Sequence, residues 1–157
     1  MLKTLPISAG KEEIKGLVVE WLELLAQENY SEALKLILYD NTQEWIWTPE
    51  NLEAAIFTYG LPWYTKEDLK REFGEDCKVD YKVTSILAHP DKEKLLEKIE
   101  IDFFDSAAAW GTTNIIGEVW CDCVLLDGER SDLTALFWIQ KMDDKHITLL
   151  FRDLHVM

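Results

Sequence analysis

Leu133-Thr134-Ala135-Leu136-Phe137-Trp138-Ile139-Gln140-Lys141, then the turn Asp143-Asp144, then residues 147–157, is the stretch whose reading decides the fold. Two runs of strand length, rich in aromatic and β-branched residues, flank a short acidic turn, which is the pattern of an antiparallel hairpin. Working backwards, residues 115–126 form another such run, joined to the first through Asp127-Gly128, a strong hairpin signal. Residues 95–104 alternate, with Ile99, Ile101 and Phe103 on one side and Glu100, Asp102 and Phe104 on the other. Residues 79–87 add a fifth run before a turn at His89-Pro90-Asp91. The spacing predicts an uninterrupted antiparallel meander of these runs.

The half that precedes it reads as helices. Ile14, Leu17, Val18, Trp21, Leu24 and Leu25 make one apolar stripe at helical spacing, with Glu12, Glu13, Glu20, Glu23 and Glu28 around the rest. Asn29 with Glu32 predicts a capping box that opens a second helix through Ala33, Leu34, Leu36, Ile37 and Leu38. Residues 43–47 read as a short strand. Thr48-Pro49-Glu50 opens a third helix through Leu52, Ala55, Ile56 and Tyr59, which Gly60 stops. Thr65 with Asp68 opens a fourth, short one that ends at Gly74. Helices segregated from strands in this way imply an α+β domain, here one domain over residues 1–157, with the helices packed on a curved antiparallel sheet.

Both faces of Leu133–Lys141 are apolar at its centre: Leu133, Ala135, Phe137 and Ile139 on one, Leu136 and Trp138 on the other. A sheet with helices on one side and only water on the other alternates more strictly. A homodimer interface is the simplest cover for the second face.

Composition narrows the function classes. The chain has 30 acidic against 16 basic residues and a net charge of -14, spread along its length without an acidic tail. Nucleic acid is excluded as a partner, since phosphate neutralisation needs Lys and Arg in excess, and anionic membrane surfaces are disfavoured for the same reason. Three cysteines, Cys77, Cys121 and Cys123, are too few for a disulfide framework. With no secretory leader in the opening residues and no apolar run of transmembrane length, the expectation is a cytoplasmic protein.

The order of helices, short strand, helix and long meander resembles the nuclear-transport-factor-2-like superfold, the cystatin-like cone shared with ketosteroid isomerase, scytalone dehydratase and polyketide cyclases. Gly128-Glu129-Arg130-Ser131-Asp132-Leu133-Thr134 and the closing Arg152-Asp153-Leu154-His155-Val156-Met157 are similar to the C-terminal end of an uncharacterised bacterial family. The resemblance implies a cone whose concave side is lined by one strand face. It licenses no activity, because the fold hosts catalysts, binding modules and interaction domains alike.

Which strand face points inward is left open by alternation alone. One face of residues 115–126 carries Glu118, Trp120 and Asp122, the other Gly117, Val119, Cys121 and Cys123. If the acidic face lines an interior, a carboxylate there can serve as acid or base, and Asp102, Glu118, Asp122 and His155 are the catalytic candidates of an isomerase, dehydratase or cyclase. If it is the outer face, Trp120 and Trp138, with Tyr59, are the binding candidates. Cys121 and Cys123 lack the further ligands a zinc site requires, so no metal and no cofactor are expected. The leading expectation is a non-enzymatic binding protein for a small apolar ligand in the cone or for a basic protein partner. One version of the latter is an immunity or inhibitor protein, for which charge complementarity speeds association.

Overall fold

The computed structural model describes residues 2–40, 46–61, 64–104 and 114–156. Its elements begin with β1 (Leu5–Pro6), α1 (Lys11–Ala26), α2 (Tyr30–Leu36), β2 (Leu38–Tyr39), α3 (Pro49–Phe57) and α4 (Lys66–Phe73). They continue with α5 (Lys92–Leu96), β3 (Ile99–Phe103), β4 (Ile115–Cys121), β5 (Leu125–Leu126), β6 (Glu129–Arg130), β7 (Leu133–Lys141) and β8 (His146–Val156). The long strands run antiparallel in the order β3-β4-β7-β8. They form a strongly curved half-barrel with helices packed against it, an α+β cone-like fold as the sequence leads one to expect.

The helices follow their local signals with one exception. In α1 the buried residues are Ile14, Leu17, Val18, Trp21, Leu22 and Leu25, so the stripe takes in Leu22 and leaves Leu24 partly exposed. At the start of α3 the Asn51 N–H donates to Thr48 Oγ1 at 3.0 Å. At α4, Thr65 and Asp68 exchange the two bonds of a capping box, each 3.0 Å. Asn29 does not cap α2: its side chain makes no cap hydrogen bond. Instead, Glu28 turns left-handed (φ 58°), and the N–H groups of Glu28 and Asn29 reach back to Leu25 and Leu24 oxygens. This is the Schellman closure of α1, so the residues that read as a helix start are a helix end.

The expected meander needs three corrections. Residues 79–87 are not a strand; only Val83 forms a bridge, to Leu126. The Glu23 carboxylate accepts from Ser85 Oγ at 2.8 Å and from the Leu87 N–H at 3.2 Å, which holds this segment against α1 in a bent path. Residues 92–96 are helix because Lys, Glu and Leu are strong helix formers, and the alternation begins only at Ile99. The run 115–126 breaks after Cys121, and Leu125–Leu126 pairs instead with Glu129–Arg130 in a hairpin. That hairpin turns at Asp127 and Gly128, both with positive φ, as the dipeptide predicts. Residues 43–45 of the expected early strand lie outside the described residues, and Ile46 and Trp47 are not in a strand. Two short strands unforeseen in the sequence, β1 and β2, flank β8, and β2 is parallel to it.

Between α1 and the sheet, aromatic rings close the interior. The Trp21 ring lies 5.2 Å from Phe137 at 88° and 4.9 Å from Phe151, while Trp47 lies 4.7 Å from Phe151. Curvature is taken up at two irregularities: one between Ile115 and Gly117, the other opposite Leu136 and Phe137, where Arg152 is the extra residue. Gly117 is forced by space, since a Cβ there would stand 2.6 Å from the Asp102 carbonyl oxygen and 2.8 Å from Ile139 Cδ1.

Gly117→Ala should therefore destabilise by about 1–3 kcal/mol, read as a lower urea midpoint at unchanged slope. Deleting residues 151–157 removes Phe151 and Leu154, both buried, and should abolish the cooperative melt followed by circular dichroism.

Candidate partner-binding face

Register decides which side chains meet. Val119 and Cys121 of β4, and Ile99 and Ile101 of β3, are buried against the helices. Period-2 alternation then sends Glu118 and Trp120, Glu100 and Asp102 to the outer face. Pairing sets Asp102 opposite Glu118, Glu100 opposite Trp120, Glu118 opposite Trp138 and Trp120 opposite Leu136. Asp102, Glu118 and Asp122 thus share the outer face with Trp120; at its β3 edge, Glu100 and Asp102 also line a hollow with Lys11, Glu12 and Lys15 of α1.

Trp120 is 36% exposed, large for an indole flanked by strands. It lines a cavity of about 220 Å³ with Glu100, Asp122, Asp132 and Thr134. Thr134 Oγ1 donates to the Asp132 carbonyl at 3.3 Å, and Arg130 Nη2 stands 3.4 Å from Asp122 Oδ2. Among the described residues no three His, Cys, Asp or Glu side chains gather as a metal-holding group. The carboxylates are distributed over the face, with no single point of convergence. Chemically, such a surface offers dispersed negative potential around one flat apolar anchor.

The other candidates fall elsewhere. His155 lies on β8 opposite Thr134, its Nδ1 2.7 Å from Asp153 Oδ2 but off the angles of a hydrogen bond. It shares the outer face with the acidic residues but is separated from Asp102 and Glu118 by β7. Trp138 is half-buried under the Arg152 guanidinium, 3.9 Å above its ring, and against Phe104 at 6.2 Å. Leu136 is 8% exposed. The apolar outer residues of β7 are covered in large part by their own chain, so they do not by themselves require a second copy. Tyr59 acts as a tie: its hydroxyl accepts from the Asp132 N–H at 2.9 Å, and its ring packs 5.0 Å from Tyr81. Gly60 beside it holds φ 87°, a conformation that side chains rarely adopt, and a Cβ there would come a tight 3.1 Å from the Val156 nitrogen.

The sequence reading missed Asp132 and Asp153 as members of this face, and Glu100 as a wall of the Trp120 cavity. For Glu100 the signal is present, two residues before Asp102 on the same strand. For Asp132 and Asp153 there is none, because their position depends on the β6–β7 turn and on the bulge at Arg152. Cys121 and Cys123 are buried on the inner side with their Sγ atoms 3.2 Å apart. That shared hydrogen bond, and then burial, push the Cys121 thiol well above its ordinary value. Comparison with protein families, with curated proteins and with solved structures returns no match. No helix among the described residues is long and apolar enough to cross a membrane.

Thiol chemistry checks this placement. With iodoacetamide at mildly alkaline pH, intact mass should show alkylation at Cys77 alone, and at Cys121 and Cys123 only after denaturation, since both are buried and out of the reagent's reach and the raised pKa of Cys121 leaves that thiol little thiolate.

Proposed function

We propose that this chain is a non-enzymatic binding protein that engages a basic protein partner through the outer face of its half-barrel. The observation that supports this best is the exposed Trp120 indole set among Glu100, Asp122 and Asp132, with Asp102 and Glu118 beside it. Aromatic anchors inside a charged rim are the usual carriers of interface energy. A distributed field of one sign steers an oppositely charged partner. A catalytic reading asks for a carboxylate held away from water against a substrate; Asp102, Glu118 and Asp122 lie instead on the outer face of the sheet. The interior near the sheet centre is filled by Trp21, Trp47, Phe137 and Phe151, which disfavours a ligand at that depth.

In this reading the fold belongs to the nuclear-transport-factor-2-like cones, supported by the curved antiparallel half-barrel with helices against it. An immunity or inhibitor protein that neutralises a basic toxin is the version best matched by the net charge of -14. A homodimer across the same face competes with this partner, because it would cover Trp120.

The test is association with a panel of basic nucleases, measured by biolayer interferometry at low and high salt. Binding is expected for at least one of them, with an on-rate that falls about tenfold or more as salt rises. Trp120→Ala should cost about 2 kcal/mol of affinity or more with cooperative melting retained, and Glu118→Lys should slow association without lowering the melting temperature. No complex with any of them at low salt would overturn the basic-partner reading. Sedimentation equilibrium at rising concentration reads the homodimer separately.

A further inference from the structure

On another part of the surface the charge balance reverses. The tip of the β5–β6 hairpin faces α5 and the turn before it across a cavity of about 430 Å³. Among its walls are Lys94, Lys98, Arg130 and His89, and its apolar lining is Leu95, which is buried. For a chain with 30 acidic against 16 basic residues, three fixed cations around one hollow are unusual. Asp91 and Glu129 also line it, so the hollow keeps a net positive balance of one with His89 neutral.

The two lysines matter most. Lys94 lies in the last turn of α5 and Lys98 in the turn that leads from it into β3, and both line the hollow. Neither side chain has a carboxylate within 4 Å among the described residues, although Glu93 and Glu97 are close in sequence. Elsewhere Lys3, Lys15, Lys35, Lys78 and Lys82 each have a carboxylate within 4 Å. His89 adds a donor. Its Nδ1 accepts from the Asp91 N–H at 3.0 Å, so in the neutral ring the proton sits on Nε2. Arg130 is held by a single contact to Asp122 at 3.4 Å, between two half-exposed groups, a weak tether. The volume is within the range of small-ligand sites.

We infer that this cavity binds a small organic oxyanion, a carboxylate or phosphate ester carried on a compact apolar body, with Lys94 and Lys98 taking the anion and Leu95 the body. This site takes a ligand of opposite charge to the partner proposed for the acidic face, and the two touch through Arg130 and Asp122.

The test uses the full chain and amide proton–nitrogen correlation spectra. Phenyl phosphate and benzoate serve as probes, with phenol and inorganic phosphate as their uncharged and body-free counterparts. Saturable shifts confined to residues 89–98 and 127–130 are expected for at least one probe, at lower concentration than for phenol or inorganic phosphate. The double substitution Lys94→Gln, Lys98→Gln should weaken that binding about tenfold or more. Both side chains are exposed, so the melting temperature should hold. Raising the ionic strength to about 1 M, where screening acts within about 3 Å, should weaken it as well. Three results would overturn the inference: shifts that never saturate, inorganic phosphate binding as tightly as either probe, or an affinity untouched by the double substitution.

Discussion

Trp21 is the contact on which the arrangement rests. One side chain of α1 meets Phe137 of β7 and Phe151 of β8, the two strands with the longest shared register. Burying an aromatic ring of this size removes about 150–250 Å² from water, worth about 4–6 kcal/mol at 25 cal/mol per Å². The cost is visible in the same residue. The buried indole Nε1 finds no hydrogen-bond partner among the described residues, a penalty of about 1–3 kcal/mol. Ring burial wins, and the near-perpendicular approach to Phe137 is an orientation that aromatic pairs favour.

Once that contact assigns Phe137 and Phe151 to the inner side, little freedom remains. Strand alternation carries the assignment across the register to Val119 and Ile101, and places Glu118, Trp120 and Asp102 outside. The bulge at Arg152 then changes the phase of β8, so that Asp153 and His155 join the outer face while Leu154 stays buried. It also brings the guanidinium over Trp138, covering apolar surface that the sequence alone assigns to a second molecule. A single extra residue thus supplies an internal cover for part of that surface.

How much of this is legible in the sequence depends on the range of the interaction responsible. The α1 stripe, the Thr48 and Thr65 caps, the Asp127-Gly128 turn and the full extent of β7 are written in residues a few positions apart. What is not legible is set at long range. Residues 79–87 have the composition of a strand, yet Glu23, some sixty positions earlier, supplies the hydrogen bonds that bend them. Asn29 carries the chemistry of an N-cap, but the helix before it needs closing and takes the backbone first. β1 and β2 are only two residues each and consist of backbone pairing with β8, which leaves no pattern in side chains. The inward face is undetermined for the same reason, because alternation gives two faces and only the helix contact chooses between them.

One local conflict on the outer face bears on function. Asp102 and Glu118 stand directly opposite each other on adjacent strands, and like charges so placed are unfavourable, by roughly 0.2–1 kcal/mol for pairs of this kind. Nothing in the packing demands carboxylates at either position, since both point away from the core and a Thr or Lys would satisfy the strand equally well. Where local choices work against the fold, a functional site is the usual reason. Under the proposed function, an approaching Lys or Arg would relieve this repulsion on contact. Catalytic carboxylate pairs exploit the same repulsion, but they need a low-dielectric setting in which one member holds a proton. On this strand pair, where Asp102 is exposed and Glu118 partly so, solvent screens both groups, a setting that suits the proposed complementarity to a cation.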